Sequence, residues 1–396
     1  MMPLFAVTLP VLILLCGLTI DLGRLEMVQE RMQTAADSAA ISAELEAERG
    51  TGNWVTLGQE DASQNGFTNG QNNTTVSVVQ FANYGAYNGR YDGLQVTITQ
   101  QVKTIFMGAL NGGYMTATAK SVAQITPCVY TLGTGALQNQ SLIVYTGSLL
   151  GDSCPLYSTS INVLSNGHIA VEAVNVSGSS SSSSNSGFVY PSPLYNVPVV
   201  TDPLAYVTSP SFSSCTHTSY KLTSGSATLS PGTYCKGLNI SNASVTLNPG
   251  LYIITGGATW SNATVSGTGV TLFFTTGGGG GYGQFLIQNG SNVTISAAND
   301  NSAGATPAIL VFADRNWTTT GAQDFQLISS TMSGDGIWYI PHAGLEIWSA
   351  VNYTAPHYLG VVADNIFTAG TIFTPVNNYS YVATGNPFRT NAPLVQ

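Results

Sequence analysis

The residues able to do acid–base or metal chemistry are sparse in the later two thirds of the sequence, and they lie far apart. Asp314, Asp324, Asp335, Glu346 and Asp364 are the carboxylates available among strand-like runs, with histidines at His168, His217, His342 and His357. Two clustered carboxylates could act as acid and base on a glycosidic bond, and several could hold calcium. Here only Asp314 and Arg315 stand side by side as acid and base, and a turn or surface ion pair is the simpler reading. The histidines carry no HExxH or nucleophile motif around them and read as structural. The glycine run 277–283 lacks the Lys and Ser/Thr of a phosphate loop and reads as a flexible connection. The expectation is a protein that is not an enzyme, with no metal and no cofactor.

Cysteine offers a different chemistry. Cys16 lies in an apolar run and reads as a small buried hydrophobe. Cys128, Cys154, Cys215 and Cys235 allow three pairings. The favoured nearest-neighbour pairs are Cys128 with Cys154 and Cys215 with Cys235, since each closes a short loop; free thiols are the alternative. Disulfides would imply an oxidising compartment. No CxxC or Cys/His spacing suggests zinc.

Composition agrees with life outside the cell. Only 7% of the 396 residues are charged, against about a quarter in ordinary domains. Six basic and ten acidic residues fall in 1–126, leaving four and nine for the rest. Asn, Ser, Thr and Gly must therefore keep the larger part soluble. The net charge of −9 and the lack of a basic stripe exclude nucleic acid as a partner.

The elements that would position these residues fall into three segments: 1–50, 51–126 and 127–396. Residues 1–20 carry no charge, and as a helix they would span about 30 Å, the thickness of a bilayer core. Pro10 removes a backbone donor there, so a kink or melted turn is expected. A cleaved signal, an uncut membrane anchor and a processed pilin-type helix compete, and the first two lack the basic flank they ordinarily carry. The last best explains an apolar start with no Lys or Arg before Arg24. The helix should continue to about Glu48, with Ala35, Ala36, Ala39, Ala40 and Ala43 forming a face for close helix approach or for packing on its own domain.

Segment 51–126 reads as a small α/β unit, with a short helix at 58–65, strands at 75–80, 94–102 and 114–124, and a helical turn at 105–110. From 127 onward, short Val/Ile/Thr/Tyr/Phe runs alternate with Asn/Gly/Ser turns. Thr228-Leu229-Ser230-Pro231-Gly232-Thr233-Tyr234 returns as Thr246-Leu247-Asn248-Pro249-Gly250-Leu251-Tyr252, 18 residues on. Ser241-Asn242-Ala243-Ser244-Val245 returns as Ser261-Asn262-Ala263-Thr264-Val265, 20 residues on. Such periods suit a parallel β-helix, continued by runs at 270–274, 285–287, 293–295, 309–312 and 336–340; a β-sandwich is the alternative. The whole is α+β. The serine tract 177–187 should be a mobile loop or linker, open to O-linked sugar. Sequons at Asn175, Asn239, Asn242, Asn262, Asn292, Asn316 and Asn352 are possible glycosylation sites.

Leu9-Pro10, then Asp21-x-Gly23-Arg24, then Met32-Gln33-Thr34-Ala35-Ala36-Asp37-Ser38-Ala39-Ala40 resembles the start of TadE/TadG-like pilus-assembly proteins. LSPGTYCKGLNI, LNPGLYIITGG, GTGVTLFF, ILVFADR and IWYIP resemble blocks of large TadG-like proteins with a β-helical body. The resemblance implies a prepilin-like subunit passing through the inner membrane with its body outside. The glutamate that many pilins carry at the fifth mature position is Phe5 here, if Met1 is the mature start. The expected role is a structural subunit of an extracellular pilus-like filament, its partners being copies of itself and other pilus-assembly components. The expected assembly residues are Phe5, Leu9, Pro10, Leu12, Leu14, Leu15, Ile20, Leu22, Leu25, Ala36 and Ala40. A membrane-anchored minor pseudopilin and a tethered carbohydrate-binding or carbohydrate-cleaving β-helix are the alternatives.

Overall fold

A computed structural model describes residues 2–48, 53–79, 93–106, 113–124, 127–133, 141–151, 154–178, 182–183, 187–317, 324–383 and 385–388. Within 1–15 only the helical backbone is described. The chain divides into two compact units, Met1–Ile125 and Thr126–Thr390.

In the first unit, α1 (Met2–Glu48) runs unbroken, with no melted turn at Pro10. The second helix, α2 (Trp54–Gln64), starts earlier than its sequence suggested. Three antiparallel strands, β1 (Thr74–Val79), β2 (Gly93–Lys103) and β3 (Tyr114–Gln124), pair in that order. Their inward Val76, Val78, Val96 and Ile98 meet an alanine stripe on α1. Alanine at these positions lets the helix lie close to the sheet, and Gly58 does the same for α2. A Cβ on Gly58 would stand 3.2 Å from the Ala43 Cβ. Part of the helical turn expected at 105–110 lies outside the described residues.

The second unit is a parallel β-helix, as the 18- and 20-residue echoes suggested, and not a β-sandwich. Among the described residues its strands form one 25-stranded sheet paired in parallel, apart from Tyr358–Phe373 with Val376–Asn377. Both repeat lengths are real. Thr228 pairs with Thr246 at an offset of 18, and Ser244 with Thr264 at 20. The repeated Pro-Gly-x-Tyr has a local cause, for each tyrosine hydroxyl reaches back over the corner. Tyr234 donates to the Ser230 carbonyl and Tyr252 to that of Asn248, both at 2.8 Å. Aromatic rings fill the interior, where Phe274, Trp260 and Trp338 surround Phe285 at 4.9–6.1 Å between centroids.

Coil order in space departs from chain order. The chain enters at Val129–Thr131 and stacks outward through Ile161–Val171 to Phe188–Tyr190 at one end. It then crosses by 196–216 to His217–Leu222 at the opposite end and climbs back. Its last long strand, Tyr358–Phe373, docks on Val129–Thr131 and Leu142–Gly151. The crossing segment is tied down along its course. The Val200 N–H donates to Tyr157 Oη, and Cys215 is bonded to Cys235.

Two loop expectations change. The serine tract contributes a short strand, Ser182–Ser183, alongside Asn162 and Val163, with the rest of its middle outside the described residues. The glycine run 277–283 is not a slack connection but packs on a disulfide. A Cβ on Gly278 would stand 2.3 Å from Cys235 Sγ and 2.4 Å from Cys215 Sγ.

Candidate functional site

The polar side chains of α1 turn out to be anchors. Asp21 is buried, and its carboxylate accepts the backbone N–H groups of Ile105 at 2.8 Å and Phe106 at 2.9 Å. Gly17, one turn earlier, clears the space that the Phe106 ring fills; a Cβ there would stand 2.7 Å from its Cβ and Cγ. Further on, Ser38 Oγ donates to Asp61 Oδ2 at 2.5 Å, and Gln33 Nε2 to the Lys120 carbonyl at 2.9 Å. The Asp-x-Gly-Arg and Met-Gln-x-Ala-Ala-Asp blocks thus hold the helix to its own unit. Sequence reasoning used them as a signature and missed this role.

The expected assembly residues divide accordingly. Ala36 and Ala40 are fully buried against the unit's own sheet and offer no surface to another copy. Leu25 is half-buried at the margin of that core. Ile20 and Leu22 are exposed, and so is Met27 beside them. The side chains of Phe5, Leu9, Pro10, Leu12, Leu14 and Leu15 lie outside the described residues. Cys16 is exposed, contrary to its reading as a buried hydrophobe. Among the described residues no helix is long and apolar enough to cross a membrane.

In the β-helix the scattered acids are each engaged. Arg315 turns away from its neighbour Asp314, correcting the ion pair read from sequence. Its guanidinium donates to Tyr339 Oη at 2.7 Å and to the Leu204 and Val207 carbonyls, clamping the crossing segment. Asp202 of that segment accepts from Tyr339 Oη at 2.5 Å. Burial, and then the Asp202 carboxylate, hold the Tyr339 hydroxyl above the ordinary tyrosine range, so it stays a donor. Asp314 instead accepts from Thr275 Oγ1 at 2.6 Å and from the Asn316 N–H. Asp324 accepts from the Gly344 N–H and Glu346 from Gln326 Nε2, while Asp364 accepts from the amide of Asn365.

The structure does bring Asp335 and His357 together, two residues the sequence kept apart. Asp335 Oδ2 lies 2.6 Å from His357 Nδ1, and Oδ1 accepts the His357 N–H at 2.7 Å. The imidazole lies against the ring of Tyr381, with centroids 3.5 Å apart. The pair links the corners that precede two neighbouring strands, Gly336–Trp348 and Tyr358–Phe373. His168 and His217 pack instead against aromatic rings. Among the described residues no group of three or more His, Cys, Asp or Glu side chains could hold a metal ion.

The four later cysteines pair as Cys128–Cys154 and Cys215–Cys235, with Cα atoms 5.5 and 5.7 Å apart. Of the sequons, Asn175 is buried and closed to sugar as folded. Asn239 Oδ1 accepts the Thr259 N–H, and Asn262 Nδ2 donates to Asn242 Oδ1 at 2.8 Å. Asn292, Asn316 and Asn352 are exposed.

No curated protein matches the chain, and no solved structure matches it. Residues 1–47, the α1 segment whose Asp21 and alanine stripe were described above, match the family model of putative Flp pilus-assembly TadE/G-like proteins, which gives the chain a pilus-related role.

Proposed function

We propose that this chain is a non-catalytic structural subunit of an extracellular pilus-like filament. Its α1 helices would bundle in the filament core, and its β-helices would be displayed outside. The observation that carries this reading is the division of labour along α1. The stretch from Met32 to Ala43 is consumed by the helix's own unit, by its sheet and by α2. The earlier stretch, uncharged over residues 1–20, ends in exposed Ile20 and Leu22. Outside lipid, such a stretch is stabilised only when other apolar surface covers it, at about 25 cal/mol per Å² buried. Copies of the same helix are the simplest cover. The body suits exposure, being held by two disulfides and poor in charge.

Electron microscopy of material sheared from the cell surface tests this. A regular polymer composed mainly of this chain is expected. Recovery in membrane fractions alone would point instead to a minor anchoring component of a pilus built by other subunits.

A further inference from the structure

One face of the β-helix carries a regularity that the filament role does not require. Six successive coils each present two outward side chains separated by one inward residue. The first column runs Ser226, Ser244, Thr264, Asn292, Thr331, Asn352, and the second runs Thr228, Thr246, Ser266, Thr294, Ser333, Thr354. All are exposed apart from half-buried Ser266 and Ser333. Strands in a sheet stand about 4.8 Å apart and alternate side chains about 6.7 Å apart, so the array is a two-column grid roughly 24 Å long. No charge and no aromatic ring interrupts it.

Composition alone does not produce this grid. The neighbouring outward face of the same coils is irregular. Asn239 pairs with Thr259, Thr259 with Leu286, Leu286 with Gln326, Gln326 with Glu346, and Glu346 with Phe367. The grid also stops within the molecule. Beyond Asn352 its first column continues as Ile372, Ser148, His168 and Phe188. Along one edge the corners are built alike, with Asn242, Asn262 and Asn289 at φ of 49°, 49° and 56°. Asn262 Nδ2 donates to Asn242 Oδ1, and Asn289 Nδ2 to Ser261 Oγ, both at 2.8 Å. Ladder bonds of this kind hold successive coils in fixed register.

We propose that this face binds the surface of crystalline water. Ice presents an uncharged, ordered lattice of groups that both donate and accept hydrogen bonds. Hydroxyls match that chemistry, since each can do either. Charged groups would hold their own hydration shells and break the lattice. Threonine is stiff at χ1, and the coils fix the backbone, so little side-chain freedom is lost on contact. Each hydroxyl contact exchanges one hydrogen bond to water for another and nets little, and the strength comes from repeating it in register. A polysaccharide surface would favour flat aromatic rings for the apolar faces of its sugars, and the grid has none.

The test is slow growth of ice in a solution of the full chain, dispersed in a mild nonionic detergent, with an unrelated protein as control. The full chain is expected to be enriched in the ice and to halt recrystallisation. Thr264→Lys with Thr294→Lys should abolish both effects while leaving the melting temperature of the body unchanged. Thr264→Ser, and Thr259→Lys on the neighbouring face, should retain them. Exclusion of the wild-type chain from ice would overturn the proposal. So would equal enrichment of the Thr264→Lys/Thr294→Lys variant, or binding to microcrystalline cellulose or chitin in place of ice.

Discussion

Asp21 shows how a single carboxylate can decide where a helix belongs. It is buried and accepts two backbone N–H groups from the segment between β2 and β3. Hydrogen bonds to a charged group are worth about 1.5–3 kcal/mol each, and a donor left unpaired in the interior costs more than one returned to water. Asp21→Ala is therefore expected to destabilise the first unit by about 2–4 kcal/mol, read as a lower denaturation midpoint of the full chain. An unchanged midpoint would mean that the carboxylate holds nothing. The residue types were legible in the sequence, but the partner was not. Ile105 and Phe106 lie far along the chain and contribute backbone groups, which leave no mark in side-chain identity. The Asp335–His357 contact was hidden for the same reason, because coil stacking and not sequence proximity brings the two together. Asp314 and Arg315, adjacent in sequence, point to different partners.

At the scale of elements, α1 serves two purposes along its length. Its alanine stripe packs on its own sheet, while Ile20, Leu22 and Met27 stay uncovered. The two halves should respond to substitution in opposite ways. Ala36→Leu overpacks a full contact and should cost about 1–3 kcal/mol of stability. Ile20→Asp with Leu22→Asp should leave the melting curve intact and remove polymerisation, measured as the fraction pelleted at high speed. Loss of fold in the double Asp variant would contradict the division. The alanine spacing was plain in the sequence, yet spacing alone could not say whether a sheet or a sister helix would cover it. In the β-helix, periodicity gave the coils and the Pro-Gly-x-Tyr corners. It did not give their order, since the stack from His217 onward docks its last strand on Val129–Thr131, which comes before it in the chain.

For the molecule as a whole, stability of the body rests on buried rings and neutral hydroxyls more than on charge. Tyr234 illustrates the pH consequence. Burial, with a smaller effect from Tyr220, pushes its hydroxyl up to about 12 from an ordinary 10. The folded state thus favours the neutral form. That contribution is fully present below pH 10 and is lost as pH rises through about 12. Tyr252, Tyr353 and Tyr358 shift in the same direction, also chiefly by burial. Circular dichroism across an alkaline titration should stay level to pH 10 and then fall together with tyrosine ionisation; ionisation of these rings at their ordinary pH without unfolding would contradict the packing described.

The claim on which the filament reading turns is that the apolar start of α1 must be covered by other copies once it leaves lipid or detergent. Light scattering on the full chain after detergent removal measures this directly. A mass many times the 41.3 kDa of one chain is expected, and a stable particle of one chain's mass, with α1 intact, would contradict it.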